Sequence, residues 1–149
     1  MDLGRFVADE DNRALVLAVA EQALAEISPS EVPLFRSTKE EMIDAAVHSY
    51  GNSAATSETV AGISGVADIV SVVVVQIALN VTAQMMYDAG LSTVKAWRAA
   101  RQSADRKAIE DMVGKAASGK VGRRHMKVVQ AVQTSLIQNL TRPQGPSAP

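Results

Sequence analysis

No cysteine occurs anywhere in this chain, which removes disulfide staples, thiolate metal ligands and a cysteine nucleophile by arithmetic and is compatible with a reducing cytosol. Aromatic residues are nearly as scarce, with one Trp, two Tyr and two Phe among 149 residues. A core must then be assembled from Ala, Val, Leu, Ile and Met, a palette that suits closely packed helices better than a sandwich of strands built on large side chains. Histidine is almost missing too. His48 and His125 fall on different expected elements without ligand-spaced neighbours, so no metal site and no histidine-based acid–base catalysis is expected. The opening, MDLGRFVADEDN, lacks a basic stretch leading into an apolar one, so a cleaved secretory signal is not expected.

What the chain does have is apolar aliphatic material, 47% hydrophobic residues overall, enough for one domain with its own core. Much of it is concentrated in Val66 to Met86, a run of 21 residues centred on Ile69 to Val75 (IVSVVVV). A helix of that length is just sufficient to cross a bilayer, and it is equally suited to be the buried centre of a bundle. Charge is divided around it. Residues 1–68 hold twelve acids against four bases, whereas residues 69–149 hold eleven bases against four acids. The two halves can dock on one another within one fold. If the apolar run spans a membrane, the bases just beyond it (Lys95, Arg98, Arg101, Arg106 and Lys107) place the C-terminus on the cytoplasmic side.

The helical pattern is legible along most of the sequence. A first helix is expected from about Asp11 to Ile27, with Asp9, Glu10 and Asp11 suited to its N-terminus and Val16, Ala20, Ala23, Leu24 and Ile27 on one face. Ser28, Pro29, Ser30 and Pro33 break it, leaving Leu34 and Phe35 on a loop that can plug onto the core. Ser37 with Glu40, or Thr38 with Glu41, has capping-box spacing for a second helix that carries Ile43, Ala46, Val47 and Tyr50 and ends near Gly51. Residues 51–57 read as a flexible linker. The long apolar helix follows over about 58–88, stopped by Ala89 and Gly90. A fourth helix from Leu91 to about Ala117 has a thin stripe at Val94, Trp97, Ala104, Ala108 and Met112. A last one from about Arg124 to Leu140 carries Val129, Val132, Leu136 and Leu140, widened by Val128 and Ile137. The ending, RPQGPSAP, is expected to be disordered.

The polar residues of the apolar helix are ordered. Asp68, Gln76, Asn80, Gln84 and Asp88 differ by multiples of four, forming a stripe that drifts slowly around the axis. In a soluble bundle the stripe faces water. In a membrane it must meet its copy in a neighbouring subunit or line a wet pore, because an unpaired amide in hydrocarbon is costly. Ser57, Ala61 and Gly65 have the four-residue spacing that lets membrane helices approach closely, and Tyr87 falls at the depth of a membrane interface.

Catalytic patterns end in near misses. Gly114 to Val121 (GKAASGKV) follows a phosphate loop as far as Lys120, but Val121 stands where Ser or Thr should hold magnesium, and a basic helix rather than a strand precedes it. Lys120, Arg123, Arg124, His125 and Lys127 form a basic cluster that suits phosphate groups. With few aromatics to stack bases and no recognition motif, a nucleic-acid partner is not expected. Glu40, Glu41 and Asp44 read as the solvated face of a helix, and the Asn80–Thr82 and Asn139–Thr141 glycosylation patterns as coincidence.

The sequence therefore predicts an all-α protein of about five helices around one apolar helix at about 58–88, with an acidic helical pair (1–50), a linker (51–57), a basic helical region (89–141) and a disordered tail (142–149). It is expected to be no enzyme and to need no cofactor. It is expected to act by association, at a membrane or in the cytoplasm. The leading expectation is membrane association and self-assembly, with a pore as one form of the assembly, through Gly65, Asp68, Gln76, Asn80, Gln84 and Tyr87. Lys95, Arg98, Arg101, Lys120, Arg123, Arg124 and Lys127 supply a basic surface in that scheme. The alternative is a soluble helical-bundle adaptor or scaffold that binds another protein.

Overall fold

In the computed structural model the described residues are 3–51, 70–100, 106–117 and 126–141. All regular structure among them is helical: α1 (Leu3–Ala8), α2 (Glu10–Ile27), a 3-10 turn (Pro29–Glu31), α3 (Val32–Gly51), α4 (Val70–Asp88), α5 (Val94–Ala100), α6 (Arg106–Ala117) and α7 (Met126–Thr141). The expected all-α architecture is the one observed. Residues 52–57 of the expected linker, the part of the central helix before Val70 and the tail at 142–149 lie outside the described residues.

The helix boundaries follow from local chemistry. Asp9 caps α2 through a carboxylate oxygen that accepts the Asn12 backbone N–H at 3.0 Å, with Glu10 and Asp11 in the first turn. A short α1, not anticipated from the sequence, lays Leu3, Phe6 and Val7 onto the bundle. The second helix of the acidic pair starts at Val32, five residues earlier than the capping-box spacing suggests. Pro33 belongs to its first turn, where the missing N–H and fixed φ cost nothing. The Ser37 and Thr38 hydroxyls instead donate back to the Leu34 carbonyl, at 3.0 and 2.8 Å. Phe35 is fully buried while Leu34 stays exposed.

Helix α4 is the apolar centre. It packs against α2, α3, α6 and α7, and α2 in turn makes its most extensive contact with α7. Val74, Val75, Ala78, Leu79, Val81 and Met86 have no exposed surface. At its C-terminus Gly90 adopts φ +74°. The Leu91 N–H returns to the Met86 carbonyl (3.0 Å) and the Gly90 N–H to that of Tyr87 (2.9 Å), a Schellman closure at the expected stop.

Within the span of the expected fourth helix the described elements are α5 and α6, and residues 101–105, with Ala104 of the expected stripe, lie outside the described residues. Val94 and Trp97 are buried as anticipated, Trp97 at 1% exposure. In α6 the buried face is Ile109, Val113, Ala116 and Ala117. Ala108 and Met112 are only half-buried, so the real face is rotated by one residue from the expected stripe. In α7, Val132, Leu136 and Leu140 are buried with Val128, and Val129 and Ile137 flank them.

Candidate functional site

The polar stripe of α4 does not face water as a unit. Four residues turn about 400° on an α-helix, so each step along the stripe advances it about 40° around the axis. Gln76 is half-buried with its Nε2 enclosed and unpartnered, Asn80 is 6% exposed, Gln84 is half-buried, and Asp88 is exposed. The stripe is most open in the last turn, where the Gln84 amide donates to the Asp88 carboxylate at 2.7 Å. Tyr87 stands 61% exposed beside it. Gly65 and Asp68 lie outside the described residues, as do Ser57 and Ala61.

Two polar side chains that sequence reasoning missed tie the acidic pair to later elements, one to α4 and one to the start of α5. Glu31, on the 3-10 turn, accepts the Val70 N–H at 3.2 Å and the Ser71 N–H at 3.0 Å, and the Ser28 hydroxyl donates to it at 3.0 Å. A carboxylate at the first turn of α4 satisfies donors that the helix cannot bond itself and opposes its dipole. Burial pushes the Glu31 carboxyl up. The bonds from the Ser71 N–H, the Ser28 hydroxyl and the Val70 N–H outweigh that and hold it below its ordinary value.

Asn12 is the second tie. It is fully buried in α2, and its amide donates to the Phe6 carbonyl (3.0 Å) and the Ser92 carbonyl (2.8 Å) while its Oδ1 accepts the Val94 N–H (2.6 Å). One side chain thus joins α1, α2 and the start of α5. Its position just inside the α2 N-terminus, beside three acids, reads in sequence as a capping neighbourhood and conceals its long-range partners.

An open groove of about 640 Å³ runs along the outer face of α2 beside α3. Ala14, Leu17 and Ala18 are its apolar lining residues. Glu10, Glu21 and Gln22 edge it from α2, and Lys39 and Glu40 from α3. Arg13 spans the two helices, 2.6 Å from Glu40 and 3.0 Å from Asp44. Burial works against its charge, but the bonds and charges of Glu40 and Asp44 prevail and raise its pKa. Arg36 pairs with Glu21 at 3.1 Å. These cations are committed to neighbouring carboxylates, so the groove offers no free guanidinium to an anionic ligand.

The basic surface is only partly within the described residues. Lys95 and Lys127 are exposed and Arg98 is half-exposed, whereas Arg101, Lys120, Arg123, Arg124 and His125 lie outside them. Gly114 and Lys115, which open the phosphate-loop-like segment, are helical in α6. His48 is exposed on α3, and among the described residues no three His, Asp or Glu side chains converge as a metal cage would require. Asn80 and Thr82 are both buried, and Asn139 donates to the Gln22 side chain (3.0 Å) and the Ser135 carbonyl (2.8 Å). In comparisons with protein-family models, curated proteins and solved structures, nothing matches the chain.

Proposed function

We propose that this protein is a non-enzymatic helical bundle that works in aqueous solution by associating with protein, with α4 as its core. The enclosure of α4 carries this reading. The helix is long and apolar enough to cross a membrane, yet 67% of its apolar window is buried inside the bundle, against four other helices. Its first N–H groups are engaged by Glu31, and the segment just beyond it is pinned by Asn12. Insertion into a bilayer would break the Glu31 bonds and strip α2, α3, α6 and α7 of the apolar surface they cover.

The membrane reading has its own support in the length and hydropathy of Val70–Asp88. Fractionation of the expressed, untagged protein separates the two. The proposal expects the chain in the soluble fraction, as a defined species without detergent. Retention in membranes through a carbonate wash supports the spanning helix instead, and the partly enclosed amides of Gln76 and Asn80 then become the assembly surface.

A further inference from the structure

A carboxylate holds the first turn of α4. Glu31 accepts the Val70 N–H at 3.2 Å and the Ser71 N–H at 3.0 Å, and the Ser28 hydroxyl braces it at 3.0 Å. These bonds fasten the apolar helix to the 3-10 turn between α2 and α3, and both of those helices pack on that turn. The charged groups nearest to Glu31 along them are Glu26, exposed near the end of α2, and Arg36 on α3, which is paired with Glu21. From Val70 to Met86 α4 carries no ionisable side chain, and Asp68 lies outside the described residues. Protonation of Glu31 removes the charge that opposes the helix dipole and weakens its bonds to the two N–H groups. Because the carboxyl is held below its ordinary value of 4.5, the contact is complete above that value and is lost as pH falls through the lower folded one.

Acid acts on the surroundings of α4 as well. The helix packs against both α2 and α3, and those two are joined by ion pairs, Arg13 with Glu40 and Asp44 and Arg36 with Glu21. Neutralising the carboxylates dissolves each pair. The formal net charge of −1 is the difference between sixteen acids and fifteen Lys and Arg, so acid leaves a strongly cationic chain that is drawn to anionic headgroups. The nineteen residues of α4 extend about 28 Å at 1.5 Å per residue, close to the roughly 30 Å of a bilayer core. Its polar side chains before Tyr87 are hydroxyls and amides, which hydrocarbon tolerates better than charge. We propose that Glu31 is an acid-sensitive latch on α4: protonation of its carboxyl frees the first turn of the helix, which then exchanges the bundle for a bilayer with anionic headgroups. Lipid replaces the apolar burial that the helix gives up. The latch goes beyond the soluble association proposed above, which describes the protein near neutrality with Glu31 ionised.

The test uses the full chain, which has no cysteine of its own, with Gln76→Cys or, separately, Val73→Cys carrying a fluorescent label. Both positions are half-buried on α4. The probe is a vesicle of equal parts phosphatidylglycerol and phosphatidylcholine, with nitroxide quenchers at the centre of its acyl chains. Near neutrality the vesicles should leave the label unquenched, and well below 4.5 they should quench it. Glu31→Gln carries no charge at any pH. Just above the wild-type midpoint it should raise the ratio of inserted to soluble protein about fivefold, the change expected for a carboxylate at a helix N-terminus. Glu26→Gln removes the same charge from an exposed site on α2 and should leave that ratio unchanged. Absence of quenching in acid overturns the inference, as does a Glu31→Gln ratio equal to that of the wild type or matched by Glu26→Gln. Those outcomes leave the soluble bundle intact, whereas quenching of the wild type near neutrality removes the soluble reading together with the latch.

Discussion

Asn12 shows how much can hang on a single amide. It has no exposed surface, and its side chain satisfies two backbone carbonyls and one backbone N–H that water cannot reach. Truncation to Ala leaves those groups short of partners, and Asn12→Ala should lower unfolding stability by about 3 kcal/mol. Urea unfolding followed through Trp97, the sole tryptophan and itself buried, measures this directly. Glu31 works through charge. Because its carboxyl is held below the ordinary value of 4.5, its stabilising contribution is complete above that value and is lost as pH falls through the lower folded value. Glu31→Gln should cost about 1 kcal/mol near neutrality, the size expected for a part-exposed carboxylate at a helix N-terminus. Well below 4.5 the variant and wild type should converge. Urea midpoints at the two pH values check both the size and the sign, and a difference that persists in acid would contradict the cap.

At the scale of elements, α2, α4 and α7 were legible because each keeps a stripe of aliphatic residues at helical spacing between plain stop signals. Val16, Ala20, Ala23 and Leu24 are buried as their spacing demands, as are Val132, Leu136 and Leu140, and Gly90 ends α4 where a left-handed residue was needed. Two readings slipped where one signal served two ends. Pro33 is as compatible with the first turn of a helix as with its interruption. The capping-box spacing at Ser37 and Thr38 is spent on bonds to the turn behind. In α6, alanines on adjacent positions give the pattern little contrast, so the expected face missed Ile109 and Val113. The polar stripe was visible, but its burial was not. Whether Asn80 meets water depends on where α3, α6 and α7 lie around α4, a tertiary property that spacing along one helix does not encode. The ties made by Asn12 and Glu31 were invisible for the same reason, since their partners sit about 80 and about 40 positions away.

Over the whole molecule, one apolar core gathers side chains from all seven described α-helices, while the ion pairs on its surface join neighbouring helical segments. Fold and charge are thus separable properties of this chain. Among the described residues the ion pairs join groups of the same half, Arg13 with Glu40 and Asp44, Arg36 with Glu21, and Arg106 with Glu110. The central claim is that α4 is the interior of a bundle that exists in water, and hydrogen exchange of the purified protein in detergent-free buffer tests it most directly. The amides of Val74 to Met86 should be the slowest in the molecule, opening only with global unfolding, and should stay equally slow when lipid vesicles are added. Exchange of these amides ahead of those in α2 and α7, or protection of α4 that arises only with vesicles, would contradict the account and identify Val70–Asp88 as a helix whose proper surroundings are lipid.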